Sequence, residues 1–134
     1  MPSIRVPSYK NTGMYYLTFT VHKWYYILDR YERWGILCNS LNFCTENKGM
    51  KLYSFVFMIN HIHLIISSDD VAGFIRDFKK FTSKKIKQNI QITEPNLLKL
   101  FQKEGSSEFT LWEETNMPVS IETEKFFLQK QNYI

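Results

Sequence analysis

The sequence predicts an α+β fold: a ferredoxin-like split βαβ sandwich with one antiparallel sheet, helices on one face and a further helix at the carboxyl end. The predicted segments follow the order strand, helix, strand, strand, helix, strand, helix. Only two residues separate the two middle strands, too few for a crossover connection, so these strands form an antiparallel hairpin. With 134 residues, 44% of them hydrophobic, the chain suits a single domain over residues 1–134.

The amino-terminal elements are a strand and a helix. Residues 14–21 are rich in aromatic and β-branched side chains, which favours a strand. A helix is predicted from about 30 to 48 because apolar residues recur there at helical spacing. Asp29 is its expected N-cap, Glu32 completes a capping box, and Gly49 supplies the stop.

The central hairpin and the second helix come next. Apolar runs at residues 52–58 and 61–67 are the two strands of the hairpin. Either Asp69 or Asp70 caps the helix that follows. One side of this helix is predicted to face the core and the other is basic. The predicted core positions are Val71, Phe74, Ile75, Phe78, Phe81 and Ile86.

The last third of the chain gives weaker signals. One helical turn is predicted at residues 97–102, and residues 118–121 have the composition of a short extended segment. Thr123 is the expected cap of a final helix, which carries Tyr133 near its end.

The cysteine pattern and the hydropathy of the sequence indicate the cellular compartment of the protein. Cys38 and Cys44 lie six residues apart in a helical pattern, so they face different sides of the helix and form no Cys-x-x-Cys pair. Such cysteines are typical of reduced thiols. The chain has no run of about 18 apolar residues and no pattern of a secretory signal. We therefore expect a cytoplasmic protein with no membrane partner.

Positive charge is concentrated in the second predicted helix. The formal charge of the chain is +4, and residues 71–87 contain six cations and one acid. Cations bind phosphates, and the aromatic content of 16% offers flat partners for unstacked bases. The pattern favours single-stranded nucleic acid as a partner, although most aromatic residues belong to the core and a basic helix face also serves solubility.

His61 and His63 are the candidate metal ligands. One residue separates them in a predicted strand, so both side chains point to the same side, with their Cβ atoms about 7 Å apart. Both rings can then reach one ion at about 2.1 Å while Ile62 faces the core. On spacing alone, two ordinary strand histidines explain the pattern equally well.

Two histidines make half of a metal site, which leaves room for water and substrate phosphate oxygens. With water as the nucleophile, such a protein is a nuclease; with a tyrosine hydroxyl, it is a strand transferase. Free tyrosine has a pKa of about 10, so its attack requires a nearby cation or base. Among eight tyrosines, Tyr133 is the candidate because the final helix can place it across the sheet from the histidines.

Residues 58–66, MINHIHLII, resemble the metal-binding strand of the single-tyrosine HUH transposases, insertion-sequence enzymes related to the REP-associated tyrosine transposases. Further segments resemble blocks of this family in the same order. They are residues 20–24, residues 76–85, Trp112 with Asn116 and Pro118, and residues 129–134. The resemblance covers the chain from about residue 13 to its end.

The resemblance implies a DNA transposase with a defined site. It implies that His61 and His63 bind Mg²⁺ or Mn²⁺, and that Tyr133 attacks DNA to form a covalent link to the 5′ end while a 3′ hydroxyl is released. Members of the family recognise hairpin-forming single-stranded DNA and act as homodimers. By the same resemblance, the DNA backbone is contacted by Arg76, Lys79, Lys80, Lys84 and Lys85.

The family pattern continues after the Tyr-Ile pair with a His-Asn-Asn-Pro-Val-like segment that helps to complete the metal shell. The present sequence stops at Ile134. We therefore expect a domain that is truncated at its carboxyl end relative to the family and that binds metal weakly. One alternative is a catalytically decayed module that binds DNA hairpins. Another is an RNA-binding ferredoxin-like domain, but the aromatic pair typical of such sheets is not found in the sequence.

Overall fold

A four-stranded antiparallel sheet organises the part of the chain that the computed structural model describes, residues 6–7, 10–103 and 105–134. Its strands are β1 (Gly13–Thr20), β2 (Lys51–Phe57), β3 (His61–Ser68) and β4 (Val119–Ile121). They lie in the order β2-β3-β1-β4, and each neighbouring pair is antiparallel. β3 and β1 are therefore the inner strands.

Two long helices cover one face of this sheet. They are α1 (Arg33–Asn47) and α2 (Val71–Thr93), whereas α3 (Glu124–Tyr133) packs against the other face. The main core lies between the sheet and the two long helices, where the ring centroids of Phe19 and Phe78 are 5.0 Å apart. A smaller cluster lies beneath α3 and is built on Tyr16, Ile65 and Ile121. The predicted ferredoxin-like α+β fold is confirmed.

Alternation along β3 decides which way the histidines point. Ile62 and Leu64 are fully buried on the side of the two long helices. His61 and His63 are partly buried on the opposite side, and His63 pairs with Thr18 of β1 in the strand register. A slip of one residue would exchange the two sets, so burial of the aliphatic set fixes the direction of the histidines.

The beginning of α1 differs from the prediction. Asp29 was expected as the N-cap, but the helix begins at Arg33, and the two residues before it, Tyr31 and Glu32, have left-handed φ values of 56° and 61°. The physical reason is the fully buried side chain of Arg33, whose guanidinium donates to the carbonyl of Ile27 at 2.8 Å. This bond draws the chain into a tight turn, and a helix that started earlier would break it.

α2 follows the prediction at its start and departs from it further along. Asp70 caps the helix, because its carboxylate accepts a hydrogen bond from the backbone of Gly73 at 2.9 Å. Phe81 was predicted to be a core residue, but it is 40% exposed, so that prediction is wrong. Thr82 is buried instead, four residues after Phe78, because a straight helix aligns i with i+4 more closely than with i+3.

The segment between α2 and β4 is largely irregular, but β1 orders part of it. A 3-10 helix at Pro95–Phe101 confirms the helical turn predicted at residues 97–102. Residues 112–118 then run beside β1, where the backbone N–H of Glu113 donates to the carbonyl of Thr20 at 2.8 Å. Among the described residues, no helix has the length and apolarity needed to cross a membrane.

Candidate active site

The candidate metal ligands lie on the open face of the sheet, which is the side away from α1 and α2. His61 and His63 point to this face from β3, and their ring centroids are 4.9 Å apart. Tyr16, Thr18 and Thr20 of β1 share the face because alternate residues of a strand lie on one side. The structure therefore brings the two predicted ligands together.

A cavity of about 870 Å³ lies over this face. Side chains of β1, β3, α3 and the loop before β4 form its walls. Its lining residues are Tyr16, Thr18, Thr20, Trp24, His61, His63, Glu113, Glu114, Thr115, Met117, Val119, Lys130 and Tyr133. The three residues predicted to act in catalysis, His61, His63 and Tyr133, thus line one cavity.

Asn60 sets the orientation of the His61 ring. Its amide nitrogen donates to the carbonyl of Trp24 at 3.3 Å, so its amide oxygen faces His61, and Nδ1 of that ring is 2.8 Å away. An amide oxygen can only accept a hydrogen bond, so Nδ1 carries the ring proton. Nε2 is therefore the ring nitrogen of His61 that can face a ligand.

His63 is oriented by two hydroxyl groups. The hydroxyl oxygens of Tyr16 and Thr18 each lie 3.0 Å from its Nδ1. Burial is the main cause that lowers the pKa of His63 to about 4, and the neighbouring His61 and Lys130 contribute in the same direction. The ring is therefore neutral at pH 7. When Nδ1 donates to one of the hydroxyls, Nε2 is available to a ligand.

Two tyrosines lie beside His63, and their environments differ. Tyr16 is 6% exposed, and burial raises its pKa, an effect that Tyr133 increases and the hydrogen bond of Thr18 opposes. Tyr133 is the last residue of α3 and is 70% exposed, with its ring centroid 5.9 Å from that of His63. Of these two phenols, Tyr16 is held as a neutral hydrogen-bonding group, and Tyr133 is accessible to a substrate.

The donor set matches part of a divalent metal site. Both histidines have Nδ1 engaged by a hydrogen bond, as is usual for metal-binding histidines whose other ring nitrogen faces the ion. Within the described part of the chain, His, Cys, Asp and Glu form no cluster of three or more that could hold a metal ion. The two imidazoles would therefore hold an ion together with water or phosphate oxygens, which is the open arrangement of catalytic sites.

Lys130 supplies a cation to the cavity. It lies three residues before Tyr133 on α3, so the two side chains share one side of the helix. Its Nζ is 4.9 Å from the centroid of the Tyr16 ring, within the range of a cation–π contact. A cation is thus held against the ring of Tyr16 at the wall of the cavity.

Lys79 supports the cavity from α2. Its ammonium donates to the backbone carbonyls of Glu113 and Glu114, both at 3.0 Å. Burial lowers the pKa of Lys79 to about 8, and the negative charge of Glu114 partly opposes this effect. Both carbonyls belong to the loop that borders the cavity, so Lys79 fixes the position of that loop.

The other predicted DNA-binding residues lie on the opposite side of the sheet from the histidines. Arg76, Lys80, Lys84 and Lys85 are exposed on the outer side of α2, which packs on the opposite face of the sheet. The structure therefore separates a basic helical surface from the cavity that holds the histidines and the tyrosine.

Several site residues were missed in the sequence. Tyr16 and Thr18 orient His63, and a signal for them existed, because alternation along residues 14–21 places both on one side of a strand that the predicted fold sets beside the histidines. Lys130 was also detectable, since it lies one helical turn before Tyr133. The bond between Asn60 and His61 was not predicted, because it depends on the local turn, although Asn60 lies within the segment 58–66 that carries the family resemblance.

Comparison with known proteins identifies related sequences and structures. A family model described as "Transposase IS200 like" matches residues 14–109, which is more than half of the chain. No curated protein matches the sequence. The matched range includes β1, β2, β3 and both long helices, and so includes both histidines.

Two solved structures share the fold. A REP-associated tyrosine transposase bound to a REP hairpin superposes with a TM-score of 0.72 at 14% sequence identity, covering 98% of this chain and 70% of that one. A candidate transposase from Deinococcus radiodurans R1 superposes with a TM-score of 0.60 at 17% identity, covering 96% of this chain and 93% of that one. At such identities the likeness establishes the fold.

Proposed function

The chain belongs to the family of IS200-like transposases, and from this premise we propose that it cleaves and rejoins single-stranded DNA through a covalent 5′-phosphotyrosine intermediate. Tyr133 is the proposed nucleophile, and His61 and His63 are the proposed metal ligands. One observation carries the proposal: these three side chains line the same cavity. In it, the exposed phenol of Tyr133 lies beside the His63 ring.

In the proposed cleavage step, the hydroxyl oxygen of Tyr133 forms a bond to the scissile phosphorus, and the bond from that phosphorus to the 3′ oxygen breaks. The phenol loses its proton as it attacks, and the departing oxygen takes up a proton to become a 3′ hydroxyl. Rejoining is the reverse step, in which a 3′ hydroxyl attacks the phosphotyrosine and releases the phenol. One phosphodiester replaces another in each step, so no external energy source is needed.

The surrounding residues have distinct proposed roles. Lys130 stabilises the negative charge that develops on the phosphate, since it holds a cation at the wall of the cavity before that charge develops. Asn60 positions His61, and the two hydroxyls on β1 position His63. His61 and His63 would hold a divalent ion, Mg²⁺ or Mn²⁺ by the family resemblance, which would supply polarisation of the scissile phosphate.

The proposed substrate is a DNA hairpin with an adjoining single strand. A relative of the same fold was solved bound to a REP hairpin, which supports this choice. The exposed cations of α2 are proposed to contact the backbone of the hairpin while the single strand enters the cavity. Lys79 is instead assigned to the loop, because its ammonium is already bonded to two loop carbonyls.

Trapping the covalent intermediate tests this proposal. Purified protein is incubated with Mn²⁺ and a hairpin oligonucleotide labelled at its 3′ end, and the adduct is resolved on a denaturing gel. Tyr133→Phe is expected to abolish the adduct while leaving the melting temperature unchanged, because this side chain is largely exposed. Tyr16→Phe is the matched control, and it should slow the reaction without preventing the adduct.

The outcomes separate the possibilities. Cleavage without any adduct, or an adduct that persists in Tyr133→Phe, would contradict the proposed nucleophile. Tight hairpin binding without cleavage by the wild-type chain would contradict the enzymatic proposal and favour a binding module. The homodimer implied by the family resemblance stays a prediction, which light scattering on the purified protein would test.

A further inference from the structure

Trp24 presents its indole at the cavity while the other two tryptophans are engaged elsewhere. Trp112 is 5% exposed, and its indole N–H donates to Thr82 at 3.0 Å. Trp34 uses its indole N–H to bind the carbonyl of Met58 at 3.3 Å. Trp24 is 62% exposed and lines the same cavity as the histidines and Tyr133. A large aromatic surface is therefore left open beside the proposed reaction centre.

The backbone that carries this indole is strained. Lys23 and Trp24 have φ values of 52° and 62°, in the left-handed region that non-glycine residues adopt infrequently. Two such residues in succession persist only where the surroundings hold them, and such strain concentrates at functional sites.

Contacts from both sides of the cavity hold this turn. The backbone N–H of Lys23 donates to the carboxylate of Glu113 at 3.2 Å, and Glu113 belongs to the loop before β4. The carbonyl of Trp24 accepts from the side chain of Asn60 at 3.3 Å, and the same side chain orients His61. The position of the indole is therefore coupled to that of a proposed metal ligand through a single amide group.

We propose that Trp24 is the stacking platform for the base of a nucleotide adjacent to the scissile phosphate. This inference rests on the proposed function, because it takes single-stranded DNA as the ligand of the cavity. An indole face binds any base by stacking, so the platform positions the strand without reading its sequence. The cavity, at about 870 Å³, lies within the size range of sites that enclose small organic ligands.

The lining residues of the cavity include groups suited to a phosphate and a group suited to a base, which supports the proposal. The histidines and Lys130 provide the groups that a phosphate requires, and the His63 ring is already stacked on Tyr16, with ring centroids 5.5 Å apart. Trp24 provides a more exposed aromatic surface in the same cavity. A nucleotide whose phosphate lies over the histidines thus has an aromatic partner for its base, and ordering the strand in this way brings the linkage to Tyr133.

Binding without metal tests the platform independently of cleavage. Fluorescence anisotropy in EDTA measures the affinity of the protein for a single-stranded oligonucleotide, and Trp24→Ala is expected to weaken it by about 5-fold to 150-fold. Trp24→Phe should recover part of the loss. Tyr26→Ala is the matched control, because Tyr26 is 68% exposed and two residues away but does not line the cavity, and its affinity should equal that of the wild type.

An abasic scan locates the stacked base. Oligonucleotides that lack one base at a time are tested against the wild type and Trp24→Ala, and at one position beside the cleavage site the two proteins should bind equally. A 2-aminopurine at that position should be quenched by the wild type and by Trp24→Phe, but not by Trp24→Ala. Equal affinity of Trp24→Ala and the wild type for the intact strand would overturn the proposal, as would a loss that no abasic position removes.

The adduct assay and the binding assay in EDTA together distinguish the two proposals. If the adduct never forms but Trp24→Ala still weakens binding at one base position, the platform stands and the chemistry fails. If Tyr133→Phe abolishes the adduct and Trp24→Ala binds like the wild type in EDTA, the chemistry stands and the platform is wrong.

Discussion

The two faces of the sheet are built from alternate residues of the same strands, yet one face forms the core and the other lines a cavity. On β3, Ile62 and Leu64 are fully buried under the two long helices, whereas His61 and His63 face an open cavity. The helix-covered face combines aliphatic and aromatic side chains in one large core, and the open face holds only a small apolar cluster beneath α3. Stability and chemistry are thus separated by the pleat of the strand, so each can be altered without the other.

The helix on the open face is held loosely in comparison with the two on the covered face. No residue of α3 is fully buried, whereas α1 and α2 each bury several. Regions with few buried apolar contacts open at lower free energy than the global core. Tyr133 lies at the end of such a helix, so its position relative to the histidines can adjust while the sheet stays intact.

The largest effect on stability is expected at Arg33, which has no exposed side-chain surface and pairs with Glu94 at 2.9 Å. Burial lowers its pKa, which the bond to Glu94 opposes, and the guanidinium also binds Asn89 and Thr93. Arg33→Ala empties a fully buried site and removes the donor of the Ile27 carbonyl and of Asn89, while Glu94 keeps Arg30. The substitution should reduce the free energy of unfolding by about 3–5 kcal/mol, measured by urea denaturation.

Arg30→Ala is the matched control for this network. Arg30 binds the same Glu94 carboxylate at 2.8 Å, but its side chain is 38% exposed. Exposed ion pairs contribute about 1 kcal/mol or less, so the loss should be correspondingly small. Equal losses in the two variants would show that burial is not what makes Arg33 important.

Adjacent residues of β3 test the contrast between the faces directly. Leu64→Ala removes a fully buried side chain and should lower the free energy of unfolding by about 2–5 kcal/mol. His63→Ala, one residue away on the open face, should change it by about 1 kcal/mol or less and abolish metal-dependent adduct formation. A larger loss of stability in His63→Ala than in Leu64→Ala, compared by urea midpoints, would reverse the assignment of the faces.

The architecture could be predicted from the sequence because it depends on local signals. The hairpin, the direction of His61 and His63, and the caps at Asp70 and Thr123 all follow from residues close together in the chain. The prediction failed at the start of α1, because the turn there depends on the bond from Arg33 to the carbonyl of Ile27, and the burial of that arginine depends on partners on α2 that lie far away in the chain. The basic helix was identified, but its placement on the face away from the histidines depends on packing that no single segment encodes.

Charge on the covered side can be compared with charge at the sheet edge. Lys80→Gln with Lys84→Gln removes two exposed cations of α2 and should reduce the slope of log affinity against log salt concentration by roughly 1.4–1.8 for a DNA hairpin. Lys51→Gln is the control, since Lys51 is exposed on β2, and it should leave the slope unchanged. An unchanged slope in the double variant would remove α2 from the DNA interface.

A pH-dependent effect is expected at Lys79, which links the covered side to the cavity. Its pKa in the folded protein is about 8 because of burial, whereas an exposed lysine in an unfolded chain has a pKa of about 10.4. Between these values the unfolded chain binds more protons than the folded one, so the free energy of unfolding gains a contribution from this group as pH rises from 8 to 10.

Lys79→Met removes that contribution while retaining most of the length of the side chain. Between pH 7, 8.5 and 10, the urea midpoint should therefore rise more in the wild type than in the variant. Subtracting the midpoint of the variant from that of the wild type at each pH removes the contributions of the other groups that titrate in this range. The neutral amine still has N–H groups for the carbonyls of Glu113 and Glu114, so the loop should stay in place at high pH. Parallel pH profiles in the two proteins would mean that the Lys79 ammonium is solvated, and the loop would then need another anchor.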